Sequence, residues 1–333
     1  MIIKLKKNIN EKKANELGKA LKSFVVKQNG SYILITPSGE KEIEAKYKSL
    51  VSESILFNDD IQLASKKFIS GTREIKIGKD IIIGGNSNNS IIITGPCSVE
   101  SEEQIEQSAQ LCKKLGIKII RAGAFKPRTS PYTFQGLGIE GLKLLDKMRS
   151  KYGLKIISEV RDSTHVNQII EYADIVQIGA KSMYDHGILK ACSKISKPVL
   201  LKRGFGTTIQ EFVQAAEFIL SGGNENVILC ERGIRTFETK TRFTLDLCGT
   251  SWLKEHTNLP IILDPSHAIG YAYGVPDLTR ACLAMSVDGL LIETHPNPAV
   301  AKSDASQQLN FNEFTKLYKS LKPIAKAIGR NII

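Results

Sequence analysis

No apolar run in this 333-residue chain approaches the ~20 residues needed to cross a bilayer. Its opening stretch, MIIKLKKNIN, has no apolar core followed by a small-residue cleavage site, so it does not read as a secretory leader. A cytoplasmic protein with no membrane partner is expected. Cysteine is scarce: six residues, at 97, 112, 192, 230, 248 and 282, include no CxxC pair and no short disulfide framework. In so long a chain they are expected to be reduced, and a functional one would act as ligand or nucleophile. Acidic residues are outnumbered, 34 against 46 lysines and arginines, for a net charge of +12. Yet the clustered basic face of a nucleic-acid binder is missing, because much of the excess is scattered lysine, as in KLKKNINEKK and KSLKPIAKAIGR. That pattern is a solvated surface, and no nucleic-acid partner is expected.

Hydrophobic residues make up 42% of the chain, enough for a sizeable core, and the length suits one large domain plus a small one. Over residues 1–70, MIIKLK alternates like a strand, and NEKKANELGKALKSF carries Ala14, Leu17, Ala20 and Leu21 at helical spacing. FVVK and SYILIT flank an NG turn, EIEAKYKSLV suits a short helix, and SESILF a last strand. This β-α-β-β-α-β order predicts a ferredoxin-like α+β domain. ASKKFISGTR then reads as the linker to a second domain, residues 71–333.

A different rhythm follows. SIIITG, IKIIRAG, LKIISEV, DIVQIGA, PVLLKRG, NVILCERG, PIILDPSH and GLLIETHP alternate with amphipathic stretches such as SEEQIEQSAQLCKKLG and TTIQEFVQAAEFILSGG. Ser101 with Gln104 and Thr208 with Glu211 fit capping boxes, and Gly116 fits a helix stop. Eight β/α repeats predict an α/β fold, a (β/α)8 TIM barrel, with an open doubly wound sheet as the alternative. TREIKIGKDIIIGG alternates on both sides of GKD and reads as a hairpin plugging the barrel bottom.

Catalytic groups of a TIM barrel sit at the C-terminal ends of its strands. Here Cys97 follows the first run, and Arg121 ends the second, with Lys126 and Arg128 in its loop. Glu159, then Gln177 and Lys181, then Lys202 and Arg203, follow in turn. Glu231 and Arg232, Asp264 and His267, and Glu293 with Asp304 beyond it complete the set. Eight polar ends predict a catalytic mouth. Arg121, Lys126, Arg128, Lys181, Lys202, Arg203, Arg232 and Arg235 are too many cations for one carboxylate, even with Arg203 paired to a neighbouring acid. Phosphorylated substrates fit them. Cys97, His267, Glu293 and Asp304 form a mixed S/N/O set that suits manganese, iron, cobalt or zinc. No local ligand motif marks that set, and each member also reads as core filler, helix-start polar group or partner of nearby cations.

GPCSVES, RAGAFKPRTSPYTFQGLG, LKRG, ILCERGIRTFE, DPSH, IETHPNP and SDASQQL, in this order over roughly residues 70–333, resemble the 3-deoxy-D-arabino-heptulosonate 7-phosphate synthases of type I-beta. The N-terminal module resembles the ferredoxin-like regulatory domain attached to some members. The resemblance implies condensation of phosphoenolpyruvate with erythrose 4-phosphate and water, releasing phosphate, as the first step of the shikimate pathway. It implies a divalent metal, manganese foremost, held by Cys97, His267, Glu293 and Asp304. It implies that Arg121, Lys126, Lys202 and Arg232 grip phosphoenolpyruvate, and that Pro127, Arg128, Thr129 and Ser130 receive erythrose 4-phosphate. Lys126 is expected to donate a proton, with Glu159 ordering its surroundings near the reacting carbons. A homotetramer and an aromatic amino-acid effector are implied by the family's habits.

Two stretches depart from the family pattern. GAKSM puts Lys181 where a phosphate-binding arginine is usual, keeping the charge but not the planar fork, so a weaker hold on that phosphate is expected. SHAIGYAYGVP has Tyr271 and Ala272 where basic residues are expected. Two alternative activities remain open. The sister 3-deoxy-manno-octulosonate 8-phosphate synthases carry lysine–alanine–asparagine–arginine where this chain reads KPRT, and a lysine-imine aldolase would use Lys202 or Lys126.

Overall fold

The structure is a computed structural model and describes residues 1–28, 30–126 and 130–333. The N-terminal elements are β1 (Ile2–Leu5), α1 (Glu11–Ala20), β2 (Phe24–Gln28), β3 (Ser31–Ile35), α2 (Ala45–Lys48) and β4 (Val51–Ile55). Their antiparallel sheet has the order β2-β3-β1-β4. That is the ferredoxin-like order, in which each β-α-β unit leaves a gap that a strand of the other fills. The period of two sorts the side chains onto two faces. Ile3, Leu5 and Leu34 pack with Ala14 and Leu17 of α1. Ile2, Val26, Ile33 and Ile35 face the other way and join the core of the rest of the chain.

After a hairpin of β5 (Glu74–Ile77) and β6 (Ile81–Gly84) come eight strands: β7 (Asn89–Gly95), β8 (Ile119–Arg121), β9 (Lys155–Val160), β10 (Ile175–Ile178), β11 (Val199–Lys202), β12 (Val227–Glu231), β13 (Ile261–Leu263) and β14 (Gly289–Glu293). All pair in parallel in chain order, and β14 pairs back onto β7. The sheet is closed, so the open-sheet alternative falls. The intervening helices are α3 (Glu102–Leu115), α4 (Ile139–Tyr152), α5 (Val166–Tyr172), α6 (His186–Cys192), α7 (Ile209–Ser221), α8 (Leu247–His256), α9 (Pro265–Ile269), α10 (Val275–Ala284) and α11 (Phe311–Ala327). A short β15 (Asn331–Ile332) pairs beside the start of β7. Inward residues such as Ile91, Ile93, Ile157 and Leu200 pack with Ile75, Ile77, Ile81 and Ile83 of the hairpin, which fills the barrel interior from below. Outward residues such as Ile92, Ile120 and Ile156 lie under the helices. Burial on both faces is why the strands read as unbroken apolar runs.

The caps follow the sequence with one difference. Thr208 and Glu211 form the full capping box, and Gly116 ends α3 in the left-handed conformation. Ser101 accepts from Gln104 N, but the Gln104 side chain turns to Ser98 O and Glu100 N, so that box is only half made.

The stretch read as a linker is pinned to the barrel. Leu63 and Ala64 are buried, and Arg73 donates to Asn258 Oδ1 at 2.8 Å and to Leu63 O at 3.0 Å. Gln62 N and Ala64 N both donate to Glu217 Oε1 on α7 at 2.7 Å. Burial lifts the Glu217 carboxyl from its ordinary 4.5 to about 7, against the pull of these backbone donors. A carboxyl raised on folding stabilises the fold below its unfolded value and loses that contribution as pH climbs through the folded one. Glu217→Gln keeps the acceptor and removes the charge. Its stability relative to the wild type should therefore rise between pH 4.5 and about 7 and then level off. The gain should be on the order of 3 kcal/mol, read by denaturant melts at several pH values. A pH-independent difference would contradict this account of the contact.

Candidate active site

The strand ends and their loops converge at one mouth. Cys97 stands just past β7, where Gly123 N donates to its carbonyl at 3.1 Å and Gln308 Oε1 accepts from its N–H at 3.0 Å. The segment beyond β14 folds back, with Leu309 N donating to Glu293 O at 3.0 Å. This brings Asp304, in the left-handed region at φ 49° that aspartate tolerates, over Cys97. Cys97 Sγ donates to Asp304 Oδ2 at 3.1 Å, and the ligand atoms of Cys97, Glu293 and Asp304 lie within 4.8 Å of one another. His267 Nε2 faces two of them, 3.5 Å from Glu293 Oε1 and 3.9 Å from Asp304 Oδ2. Its Nδ1 is 2.7 Å from the fully buried Asp264, which also caps α9 by accepting from His267 N. That carboxylate orients the ring and leaves Nε2 for a cation.

The donor set fits a divalent cation. Glu293 Oε1 is buried and receives no hydrogen bond: Arg121 Nη1 is 2.8 Å away as an ion pair but donates to Pro96 O at 2.6 Å. Burial, then the Glu293 carboxylate, push the Cys97 thiol up to about 12. A cation between these groups reverses that balance, since a coordinating thiol is held as thiolate. Burial works to raise the Asp304 carboxyl, but His267, Lys126 and Arg242 outweigh it and hold Asp304 below its ordinary value.

Beside this cluster opens a cavity of about 400 Å³. Among the described residues its wall carries Lys126, Lys181, Lys202, Arg232, Arg235 and Arg242 against two carboxylates, Glu159 and Asp304. Lys126 Nζ donates to Cys97 O at 3.2 Å and to Cys97 Sγ at 3.1 Å. Burial works to lower its pKa, but Cys97 and Glu159 outweigh it, so the ammonium stays charged. Glu159 accepts from Gln177 Nε2 at 2.7 Å, and Gly179 makes room for it, since a Cβ there would stand 2.2 Å from Glu159 Oε1. Lys202 pairs with Asp264 at 2.5 Å. Arg203 pairs with Glu231 and Asp246, both at 2.9 Å, and is not among the cavity-lining residues.

Arg121 is buried, with its Nε unpartnered. Ser130 sits in a turn, accepting from Tyr132 N, and does not line the cavity. Pro127, Arg128 and Thr129 lie outside the described residues. Tyr271 and Tyr273 stack on each other at 5.8 Å and are exposed at the rim. Sequence reasoning did not single out Gln307, whose amide donates to Glu293 Oε2 at 2.6 Å and accepts from Arg242 at 2.7 Å. It lies within the quoted SDASQQL, so the signal was present. It also passed over Phe205, Phe243 and Arg242, which lie in loops without periodicity.

The profile of the DAHP synthetase I family matches residues 67–329. The chain belongs to that family. A phospho-2-dehydro-3-deoxyheptonate aldolase of Thermotoga maritima is 39% identical to this DAHP synthetase I family member over 337 residues, 99% of each chain. The crystal structure of the Thermotoga maritima phospho-2-dehydro-3-deoxyheptonate aldolase (DAHP synthase) covers 100% of this chain and 99% of its own, at 38% identity and a TM-score of 0.80. A 2-dehydro-3-deoxyphosphooctonate aldolase of Fusobacterium nucleatum is 30% identical over 278 residues, 78% of this chain and 98% of its own. The N-terminal sheet of this DAHP synthetase I family member thus has its counterpart in the full-length Thermotoga chain. No helix among the described residues is long and apolar enough to cross a membrane.

Proposed function

We propose that this protein joins phosphoenolpyruvate to erythrose 4-phosphate and water, giving 3-deoxy-D-arabino-heptulosonate 7-phosphate and phosphate at the head of the shikimate pathway. The observation that carries this reading is the cation-rich cavity abutting the Cys97, Glu293 and Asp304 cluster. Two phosphates and a carboxylate account for six cations facing two acids. The full-length Thermotoga relative favours this product over the octulosonate one, at 39% identity over 99% of the chain against 30% over 78%.

Cys97, His267, Glu293 and Asp304 would hold the divalent ion, manganese by preference. When bound, the ion polarises the aldehyde oxygen of erythrose 4-phosphate as a Lewis acid. Arg121, Lys126, Lys202 and Arg232 seat phosphoenolpyruvate, with Lys181 on its phosphate. Pro127, Arg128, Thr129 and Ser130 receive the four-carbon sugar phosphate. Carbon 3 of phosphoenolpyruvate attacks the aldehyde carbon, carbon 2 becomes electron-poor, water adds there, and phosphate leaves with cleavage of its bond to carbon 2. Lys126 stays charged at neutral pH, so its Nζ gives up a proton only to a strong base, such as the alkoxide forming on the aldehyde oxygen. Glu159, after Cys97, adds to the field that keeps that ammonium charged.

The N-terminal sheet would carry the response to an aromatic amino acid, the working unit would be a homotetramer, and the enzyme would act in the cytoplasm. Phosphate release measured with phosphoenolpyruvate plus either erythrose 4-phosphate or arabinose 5-phosphate tests the reading. Release with the four-carbon sugar phosphate alone is expected. Release with only the five-carbon one would assign the octulosonate reaction instead.

A further inference from the structure

The buried cations of the mouth are partnered in two different ways. Arg121, Lys202 and Arg203 each face a carboxylate. Among the described residues, Arg232, 4% exposed, makes only a 3.4 Å contact from Nη2 to His267 O, and its Nη1 is buried with no hydrogen-bond partner there. Its guanidinium lies instead over the ring of Phe243, with Cζ 4.4 Å from the centroid. Phe243 stacks on Phe205 at 5.4 Å and 24°, and Arg235 covers Phe205 at 4.9 Å. All four residues line the cavity, as a row of guanidinium, ring, ring and guanidinium.

Backbone bonds among the loops after β11 and β12 and helix α9 build this row. Ile234 and Thr244 exchange hydrogen bonds at 2.9 Å and close the loop after β12 on itself. Phe243 N donates to Ala268 O at 2.8 Å, and Arg235 N to Phe205 O at 2.6 Å. Gly233, at φ +98°, permits the turn, since a Cβ there would stand 2.7 Å from Phe243 Cβ. A ring face attracts a guanidinium through its quadrupole but accepts none of its in-plane N–H groups. A carboxylate would take up two of those donors and cancel the charge. Burial pulls the Arg232 guanidinium below its ordinary value, as befits a cation short of counter-charge.

We propose that Phe243 and Phe205 are positioning residues whose stacked rings hold Arg232 and Arg235 as an open fork for the phosphate dianion of phosphoenolpyruvate. The proposal rests on the substrate reading above. Phe243→Leu keeps an apolar side chain and removes the ring face, whereas Phe243→Trp keeps a face. The leucine variant is expected to raise KM for phosphoenolpyruvate about tenfold, or ~1.4 kcal/mol. Its kcat and its KM for erythrose 4-phosphate should stay within about twofold, as for lost uniform binding. The tryptophan variant should lie close to the wild type. Calorimetric titration with inorganic phosphate should follow the same order. Equal losses in both variants, a loss confined to kcat, or unchanged KM and phosphate affinity in Phe243→Leu would overturn the proposal. If the wild type released no phosphate from the two substrates, the proposed function would fail, and the inorganic phosphate titrations would still decide the role of the rings.

Discussion

Replacing Lys126 with alanine is expected to lower kcat by about 10²–10⁴-fold, the usual worth of a placed proton donor. The ammonium is buried, hydrogen-bonded to Cys97 O and Sγ, and kept charged by Cys97 and Glu159. It therefore stands beside both the candidate metal ligands and the cavity where the aldehyde would lie. The melting temperature should stay the same or rise, because the change removes one of several like charges facing the cavity. Glu159→Ala should follow it in direction, since Glu159 acts through the lysine. Single-turnover kinetics separate chemistry from binding, and near-normal kcat in Lys126→Ala would refute its role as donor.

Cys97→Ala should cost at least about 10²-fold in activity, more than is typical for losing a residue that only supports a ligand. It should also lose bound metal. The thiol is one of three donors whose ligand atoms lie within 4.8 Å of one another, so its removal leaves two carboxylates and His267 around an incomplete site. Metal content, measured after chelator treatment and re-addition of one equivalent of Mn2+, is the direct readout. Full occupancy in the alanine variant would contradict the ligand assignment even if activity fell. Near-UV circular dichroism should be unchanged, because Cys97 packs against polar groups of the mouth and not in the helix-facing core.

Much of the barrel was legible because parallel strands covered on both faces read as continuous apolar runs, each ending in a polar residue. The ferredoxin-like order was legible from alternation and a single NG turn. The packing of residues 64–73, read as a linker, was not legible for a physical reason: the stretch has no periodicity, and its anchors, Glu217 and Asn258, lie far along the chain. The mouth was legible as a set of residues but not as a network. Nothing local in the sequence pairs Arg121 with Glu293, or Arg242 with both Asp304 and Gln307, because the barrel's closure makes those neighbours. The Phe205–Phe243 stack was invisible for the same reason, since its two rings come from loops after different strands.

One divalent ion, gathered by side chains at or beyond the ends of the first, seventh and eighth barrel strands, would face a wall of cations that seats phosphoenolpyruvate. The most direct measurement is anomalous diffraction from crystals of the full chain grown with Mn2+ and phosphoenolpyruvate. A single strong peak is expected within about 2.0–2.5 Å of Cys97 Sγ, His267 Nε2, Glu293 and Asp304, with the ester phosphate against Arg232. A peak elsewhere, or one that leaves these four side chains uncoordinated in crystals that still turn over, would contradict it.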